Sequence, residues 1–231
     1  MNGLSEVDHL LAAGLAFMSL SLLFRKAPPA SPGSRRNFYV AAAGTGLLLA
    51  GITLSLWYFA GRPLGEFGLL RWVADPVVTG VSAATWALIL LIWLAVVGKS
   101  RVAEWVRPIY AKYERFMPVT RGDLAGSWAA SLAAGSGEEI VYRGFLLWYC
   151  ANLTAVPVAL LVTSLLFGIA HGYQSRFGVI FATAAGLCLG AVYLASESLL
   201  LVMWMHATYN VASFTSGKIL LAGQRASTAE G

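Results

Sequence analysis

The chain has 231 residues, of which 58% are hydrophobic and only 12% are charged, and its formal net charge is +5. A soluble globular domain carries about 25% charged residues, so this composition places the chain among membrane proteins. The basic residues are spread over short loops, which favours contact with anionic lipid and argues against binding of nucleic acid.

Seven apolar segments follow one another along the chain and predict transmembrane helices. A membrane-spanning helix needs about 20 apolar residues. The second, third, fourth and sixth segments reach that length, whereas the first, fifth and seventh are shorter or interrupted by polar residues. In chain order, the segments are 9–24, 38–60, 77–97, 125–150, 156–171, 177–196 and 199–217. We therefore predict an all-α fold, a polytopic transmembrane helix bundle of about seven spans.

The basic residues of the loops predict how the spans are oriented. One set of alternate loops, together with the C-terminal tail, holds 13 lysines and arginines, and the other set holds 2, Arg62 and Arg71. Lysine and arginine are enriched in cytoplasmic loops. The pattern therefore predicts an N-terminus outside and a C-terminus in the cytoplasm. We expect an integral membrane protein of the bacterial inner (plasma) membrane.

The loop between the third and fourth segments is the most basic one. It also carries aromatic residues among its charges, namely Trp105, Tyr110, Tyr113 and Phe116. Basic and aromatic residues in one segment are typical of an amphipathic helix on the cytoplasmic leaflet. A solvated linker is the alternative, and the sequence leaves both open.

The fourth segment carries two adjacent carboxylates, Glu138 and Glu139, in an otherwise apolar stretch. One charge at the centre of a membrane helix costs about 2.5–3.5 kcal/mol, so such a residue marks a functional site by default. Glu139 and Arg143 are four residues apart and share a helix face, which predicts a charge pair. Glu138 points about 100° away and has no matching partner, so it is the better candidate for a general base. An interhelical lock formed by all three residues is the structural alternative.

Two of the three histidines lie in the apolar half of the chain. His171 ends the fifth segment, and His206 lies in the seventh, four residues before Asn210 and on the same face. With Glu138 on a third helix, these residues predict one shared site. One glutamate and two histidines can hold zinc with an open position. Alternatively, Glu138 and His171 activate a water, and His206 and Asn210 donate hydrogen bonds to an oxyanion. Both routes hydrolyse an amide bond.

Three short motifs occur in order along these helices: EEIVYR (138–143) has the pattern EExxxR, FGIAH (167–171) has FxxxH, and HATYN (206–210) has HxxxN. Together they resemble the motifs of the CPBP family of intramembrane endopeptidases, the CAAX-processing and bacteriocin-processing group that is related to the type II CAAX prenyl protease. The resemblance covers about residues 118–215. The first three segments match the family only in hydropathy.

The resemblance implies a membrane-embedded protease whose active site lies within the bilayer and is reached from the cytoplasm. By position, it implies that Glu138 and His171 activate the water. It also implies that His206 and Asn210 stabilise the oxyanion or complete a metal site.

The same resemblance implies that Glu139 and Arg143 orient the first of these groups. Zinc or another divalent metal, if one is used, would be held by Glu138, His171 and His206. Members of the family have been called metal-dependent and also glutamate-dependent without a metal, so both cofactor predictions stay open.

We divide the chain into N-terminal spans with the basic loop (1–124), a catalytic helical core (125–217) and a C-terminal tail (218–231). The leading prediction is an endopeptidase that cleaves membrane-associated or lipid-modified proteins or peptides. A non-catalytic immunity or scaffold protein on the same fold is one alternative. A proton-coupled transporter is another, because glutamate, histidine and arginine also build proton relays. The sequence shows no internal repeat of the transporter kind.

Overall fold

The computed structural model of the chain describes residues 3–24, 31–69 and 75–227. Within these ranges the regular secondary structure is helical and contains no strand, which confirms the predicted all-α fold. The α-helices of these ranges are α1 (Glu6–Ser21), α2 (Pro32–Phe59), α3 (Pro76–Val96), α4 (Ser100–Lys112), α5 (Arg121–Glu139), α6 (Leu147–Leu153), α7 (Val156–Ala170), α8 (Arg176–Ser196) and α9 (Leu199–Ser227). A π-helical stretch, Ile140–Leu146, joins α5 to α6 and is called the π segment below.

All seven predicted segments lie on helices, and several of these helices have the length and hydropathy of a membrane span. Among the described residues, four helices meet both requirements: Glu6–Phe24, Gly33–Phe59, Pro76–Val96 and Arg176–Ser196. The shorter helix α7 is apolar as well. The fourth segment is not in this set, because α5 is rich in glycine and serine and ends in two glutamates. The apolar helices identify an integral membrane protein, while the number of seven spans stays a prediction.

Two helices extend beyond the apolar segments that predicted them. The second segment begins at Pro32 and not at residue 38, because Ser31 caps the helix with its side chain and proline suits the first helical position. Helix α9 continues to Ser227, so the predicted tail 218–231 begins inside a helix. Three of the basic residues used to predict orientation lie outside the described residues, namely Arg25, Lys26 and Arg71.

At one end of the bundle, a buried ion pair joins the start of α1 to the residues that follow α2. Arg62 donates hydrogen bonds to both carboxylate oxygens of Asp8, at 2.7 and 2.5 Å. The Arg62 guanidinium also lies over the rings of Trp57 and Trp148, at 5.1 and 4.5 Å from their centroids. The sequence did not predict this pair. It brings the first turn of α1, the last turn of α2 and the first turn of α6 together.

The opposite end is formed by the start of α2, the segment after α4 and the connection from α7 to α8. The Tyr39 hydroxyl donates to the Phe116 carbonyl oxygen at 2.8 Å. The hydroxyls of Tyr113 and Ser175 are 2.9 Å apart. The helix ends therefore alternate between the two ends of the bundle, as a chain crossing back and forth requires. Which end faces the cytoplasm stays a prediction.

Small residues let the helices around the glutamates approach one another closely. A Cβ atom added at Gly137 would overlap the backbone carbonyl of Gly46 on α2, and one added at Gly135 would lie 3.1 Å from the Ala207 backbone on α9. Such contacts are typical of membrane helices, where small residues allow close backbone packing. Because Ala207 follows His206 directly, this packing places that histidine beside the end of α5.

We predict that Gly137→Ala lowers the free energy of unfolding by about 1–3 kcal/mol, because the new methyl group overlaps the Gly46 carbonyl and α2 must move. Thermal unfolding of the purified protein in detergent measures the effect. Gly44→Ala is the matched control, since a Cβ added there meets nothing within 4 Å. Equal unfolding temperatures for the two variants would contradict the packing account.

Candidate active site

The carboxylate of Glu139 is the centre of the site and is fully buried, with 0% of its side chain exposed. Its Oε1 accepts a hydrogen bond from Arg143 Nη1 at 2.8 Å and a second one from His206 Nδ1 at 2.7 Å. The predicted Glu139–Arg143 pair is therefore confirmed. The bond from His206 was not predicted, because residue spacing within one helix carries no information about a partner on another helix.

Arg143 connects the π segment to two more helices. Its Nη2 donates to the Gly186 carbonyl oxygen on α8 at 3.1 Å. The guanidinium also faces the Phe167 ring on α7, at 4.6 Å from the centroid. With 3% of its side chain exposed, Arg143 satisfies its charge through these contacts and not through water. The Glu139–Arg143 pair is thus both a charge pair and a junction between helices.

The helix changes its period immediately after the glutamates. All seven residues of the π segment are buried. A π-helix has i→i+5 hydrogen bonds, and single turns of it occur frequently at functional sites. The sequence predicts a regular α-helix here. A run of residues that is buried on all sides has no hydrophobic period, so the sequence carried no signal of the change.

Glu138 differs from Glu139 in its exposure to solvent and in its hydrogen bonding. About 30% of its side chain is exposed, and its Oε2 lies 3.8 Å from His206 Nε2, beyond hydrogen-bonding distance. Glu138 makes no hydrogen bond to any residue that the structure describes. The prediction that Glu139 is the paired carboxylate and Glu138 the unmatched one is confirmed by this geometry.

The Phe167 ring lies next to both motif histidines, His171 and His206. Its centroid is 4.7 Å from that of His171, 5.7 Å from that of His206 and 5.1 Å from that of Tyr142. The His171 ring nitrogen Nδ1 lies 2.8 Å from the Phe167 carbonyl oxygen. Because a carbonyl oxygen only accepts, Nδ1 must carry the hydrogen. A neutral His171 therefore has its lone pair on Nε2.

Tyr142 is a residue of the site for which the sequence predicts no function. Its hydroxyl is 2.8 Å from the Ser19 hydroxyl on α1, and both residues are buried. Since the Tyr142 ring also packs on Phe167, this bond joins α1 to the group that carries the histidines. The position of Tyr142 inside the EEIVYR motif was the available signal. Nothing in the sequence pointed to Ser19.

The remaining predicted residues are less directly connected. Asn210 lies one turn after His206 on α9 and is half-buried. Within the described part of the chain, no hydrogen bond or ion pair joins His171 or Asn210 to either glutamate. In the structure, Glu139 and His206 are thus in direct contact. His171 is connected to them only through its packing on the Phe167 ring. Asn210 lies near the site because it follows His206 on α9.

The predicted metal ligands do not form a ready-made metal site. Among the described residues, no group of three histidine, cysteine, aspartate or glutamate side chains is placed to hold a metal ion. Both motif histidines do donate from Nδ1, to a carboxylate and to a carbonyl, as zinc-bound histidines do. The three predicted ligands, Glu138, His171 and His206, nevertheless do not converge. As placed, they do not fit a metal ion.

We predict that Arg143→Met destabilises the protein by about 3–5 kcal/mol, because it leaves a buried Glu139 carboxylate without its charge partner. Unfolding in detergent is the measurement. The double variant Glu139→Gln/Arg143→Met removes the uncompensated charge and should recover part of that loss. If the destabilisation of the double variant equalled the sum of the losses caused by Arg143→Met and by Glu139→Gln alone, the two side chains would not be coupled.

The segment that carries the three motifs is similar to a known protein family. Residues 120–212 match the sequence model of the family described as type II CAAX prenyl endopeptidase Rce1-like. The matched range begins at the residue that caps α5 and extends into α9. It includes all six predicted site residues. Neither a curated protein nor a solved structure matches the chain. Residues 120–212 are therefore similar to the type II CAAX prenyl endopeptidase Rce1-like family, and this similarity supports a membrane protease.

Proposed function

We propose that this protein is an intramembrane endopeptidase that hydrolyses peptide bonds of membrane-associated or lipid-modified substrates with a water activated by Glu138. The family supports a membrane protease in general terms. The observation that carries the mechanism is the difference between the two adjacent carboxylates. Glu139 is held by two donors, whereas Glu138 is partly exposed and is free of hydrogen bonds to the described residues.

In the proposed reaction, Glu138 takes a proton from the attacking water and later delivers a proton to the leaving amine. A partly exposed carboxylate that makes no hydrogen bond to the described residues is free to accept that proton. His171 is the second base, because its Nδ1 hydrogen is held by the Phe167 carbonyl and its Nε2 lone pair is left to accept from water. Glu139 and Arg143 keep the helix end that carries Glu138 in place.

The developing oxyanion requires hydrogen-bond donors, and α9 supplies two. The Asn210 amide has two N–H groups and no partner among the residues that the structure describes. His206 donates from Nδ1 to Glu139, so it can donate to an oxyanion only when Nε2 carries a hydrogen as well. The Glu138 carboxylate, 3.8 Å from that nitrogen, balances the charge of this form. One such donor contributes about 10²–10³ to kcat.

The proposed site lies inside the bilayer and opens to the cytoplasm of a bacterial inner membrane, with seven spans, the N-terminus outside and the C-terminus inside. Helix α7 has 15 residues, which is about 22 Å at 1.5 Å per residue. The hydrocarbon core is about 30 Å thick. If α7 begins at the outer face of the membrane, His171 at its end lies within the hydrocarbon core and does not reach the cytoplasmic surface. The basic loops support this orientation.

We predict that Glu138→Gln lowers the rate of substrate cleavage about 10²–10⁴-fold without changing expression or unfolding temperature, because it removes the base and no buried contact. Membrane and secreted peptides are compared by mass in cells that carry the wild type or the variant. The substrate should persist uncut in the variant. Glu66→Gln, at an exposed glutamate distant in sequence from the motifs, is the control and should cleave normally.

The same comparison separates the other functions. A scaffold or immunity protein would keep its phenotype in the Glu138→Gln variant. A proton-coupled transporter would lose flux, but no peptide would change in mass. Either outcome would contradict the proposed hydrolysis.

We predict that chelation leaves cleavage within about twofold of the untreated rate, because the three predicted ligands do not converge on a common point. Cleavage by purified protein with EDTA, together with elemental analysis, is the measurement. Loss of cleavage that added zinc restores would overturn the metal-free route, and it would leave the assignment of a protease intact.

A further inference from the structure

Helix α4 is an ordered element that packs along one flank of α9. Arg107 Nε donates to the Leu220 carbonyl oxygen at 3.2 Å. Ala103 and Leu220 belong to a buried apolar cluster, against which Tyr110 packs. Of the two predictions for this loop, a helix or a solvated linker, the structure shows the helix. The face of α4 that points away from α9 has no partner among the described residues.

That opposite face combines large apolar side chains with basic ones. Trp105 is 87% exposed and Ile109 is 46% exposed. Arg101 and Lys112 are also exposed. The positions 101, 105, 109 and 112 are three or four apart, so they share one helix face. A tryptophan in this setting, apolar in body and able to donate a hydrogen bond, is typical of membrane–water interfaces.

The contacts that α3 and α4 make along α9 indicate the depth of α4 in the membrane. Trp93, in the last turn of α3, donates to Ser216 Oγ at 2.9 Å, and Arg107 contacts Leu220, four residues further along α9. Four residues are about 6 Å at 1.5 Å per residue. Because α3 is a candidate span that ends three residues after Trp93, α4 contacts α9 close to the level at which that span ends and the headgroup region begins. The headgroup region adds roughly 5–8 Å on each side of the hydrocarbon core. Helix α4 is therefore at headgroup depth, and its free face points away from the bundle.

The charge of this segment selects the kind of lipid. Between positions 99 and 115 the chain has five basic and two acidic residues, a net charge of +3. A basic segment at headgroup depth is attracted by anionic lipid, while a neutral lipid surface offers it no such gain. We propose that the exposed face of α4, defined by Arg101, Trp105, Ile109 and Lys112, binds anionic phospholipid. Trp105 and Ile109 insert into the interface, and Arg101 and Lys112 contact the headgroup phosphates. The proposal is independent of proteolysis.

Hydrogen exchange of the full-length protein in nanodiscs tests directly whether the exposed face of α4 binds anionic phospholipid. Peptides covering residues 100–112 are compared in discs of phosphatidylcholine alone and in discs that also contain phosphatidylglycerol. We expect exchange to be at least about fivefold slower in the anionic discs, because each basic side chain at an anionic surface contributes about that factor. The difference should shrink as salt is raised, since salt screens exposed charges. Equal exchange in the two discs, at low salt, would overturn the proposal.

Variants identify the residues that carry the effect. Arg101→Gln/Lys112→Gln should abolish the difference between the discs, and Trp105→Ala should speed exchange in both. Glu104→Gln is the opposite-sign control on the same helix: it removes an exposed acidic residue, so the difference should persist or grow. Exchange of the π segment must be unchanged in each variant, which shows that the bundle is folded. A difference that persists in the double variant would contradict the proposed contacts.

Discussion

One buried carboxylate, that of Glu139, holds the candidate site together. It accepts from Arg143 on its own continuous helix and from His206 on α9. Arg143 in turn contacts α8 through the Gly186 carbonyl and α7 through the Phe167 ring. A buried charge is tolerable only when it is paired and hydrogen-bonded, so this carboxylate fixes where four helices meet. The close packing at Gly135 is the steric condition that lets His206 reach it.

This arrangement determines what the neighbouring residue can do. Arg143 and His206 both donate to Glu139, whereas Glu138 is partly exposed and its Oε2 lies 3.8 Å from His206 Nε2. A carboxylate engaged by arginine and histidine would be a poor base, while one facing water can accept a proton. The rings of both motif histidines lie next to the Phe167 ring. In the proposed mechanism, one motif thus supplies both a structural carboxylate and a reactive one.

The sequence predicted the parts of this site that depend on spacing within one helix. The Glu139–Arg143 pair follows from four residues of separation, and the isolation of Glu138 follows from its different direction. Contacts between helices could not be predicted, because the packing of the bundle determines which residues meet. The bond from His206 to Glu139 and the one between Tyr142 and Ser19 are of this kind. The π segment was missed because a fully buried stretch has no hydrophobic period.

The central claim is that adjacent glutamates have separate functions, and parallel unfolding of Glu138→Gln and Glu139→Gln tests it most directly. The two substitutions make the same chemical change one residue apart. We expect Glu139→Gln to lower the free energy of unfolding by about 3–5 kcal/mol, because Arg143 loses its buried counter-charge. Glu138→Gln should change the free energy of unfolding by no more than about 0.5 kcal/mol. Equal losses of stability, or a larger loss for Glu138→Gln, would contradict the account.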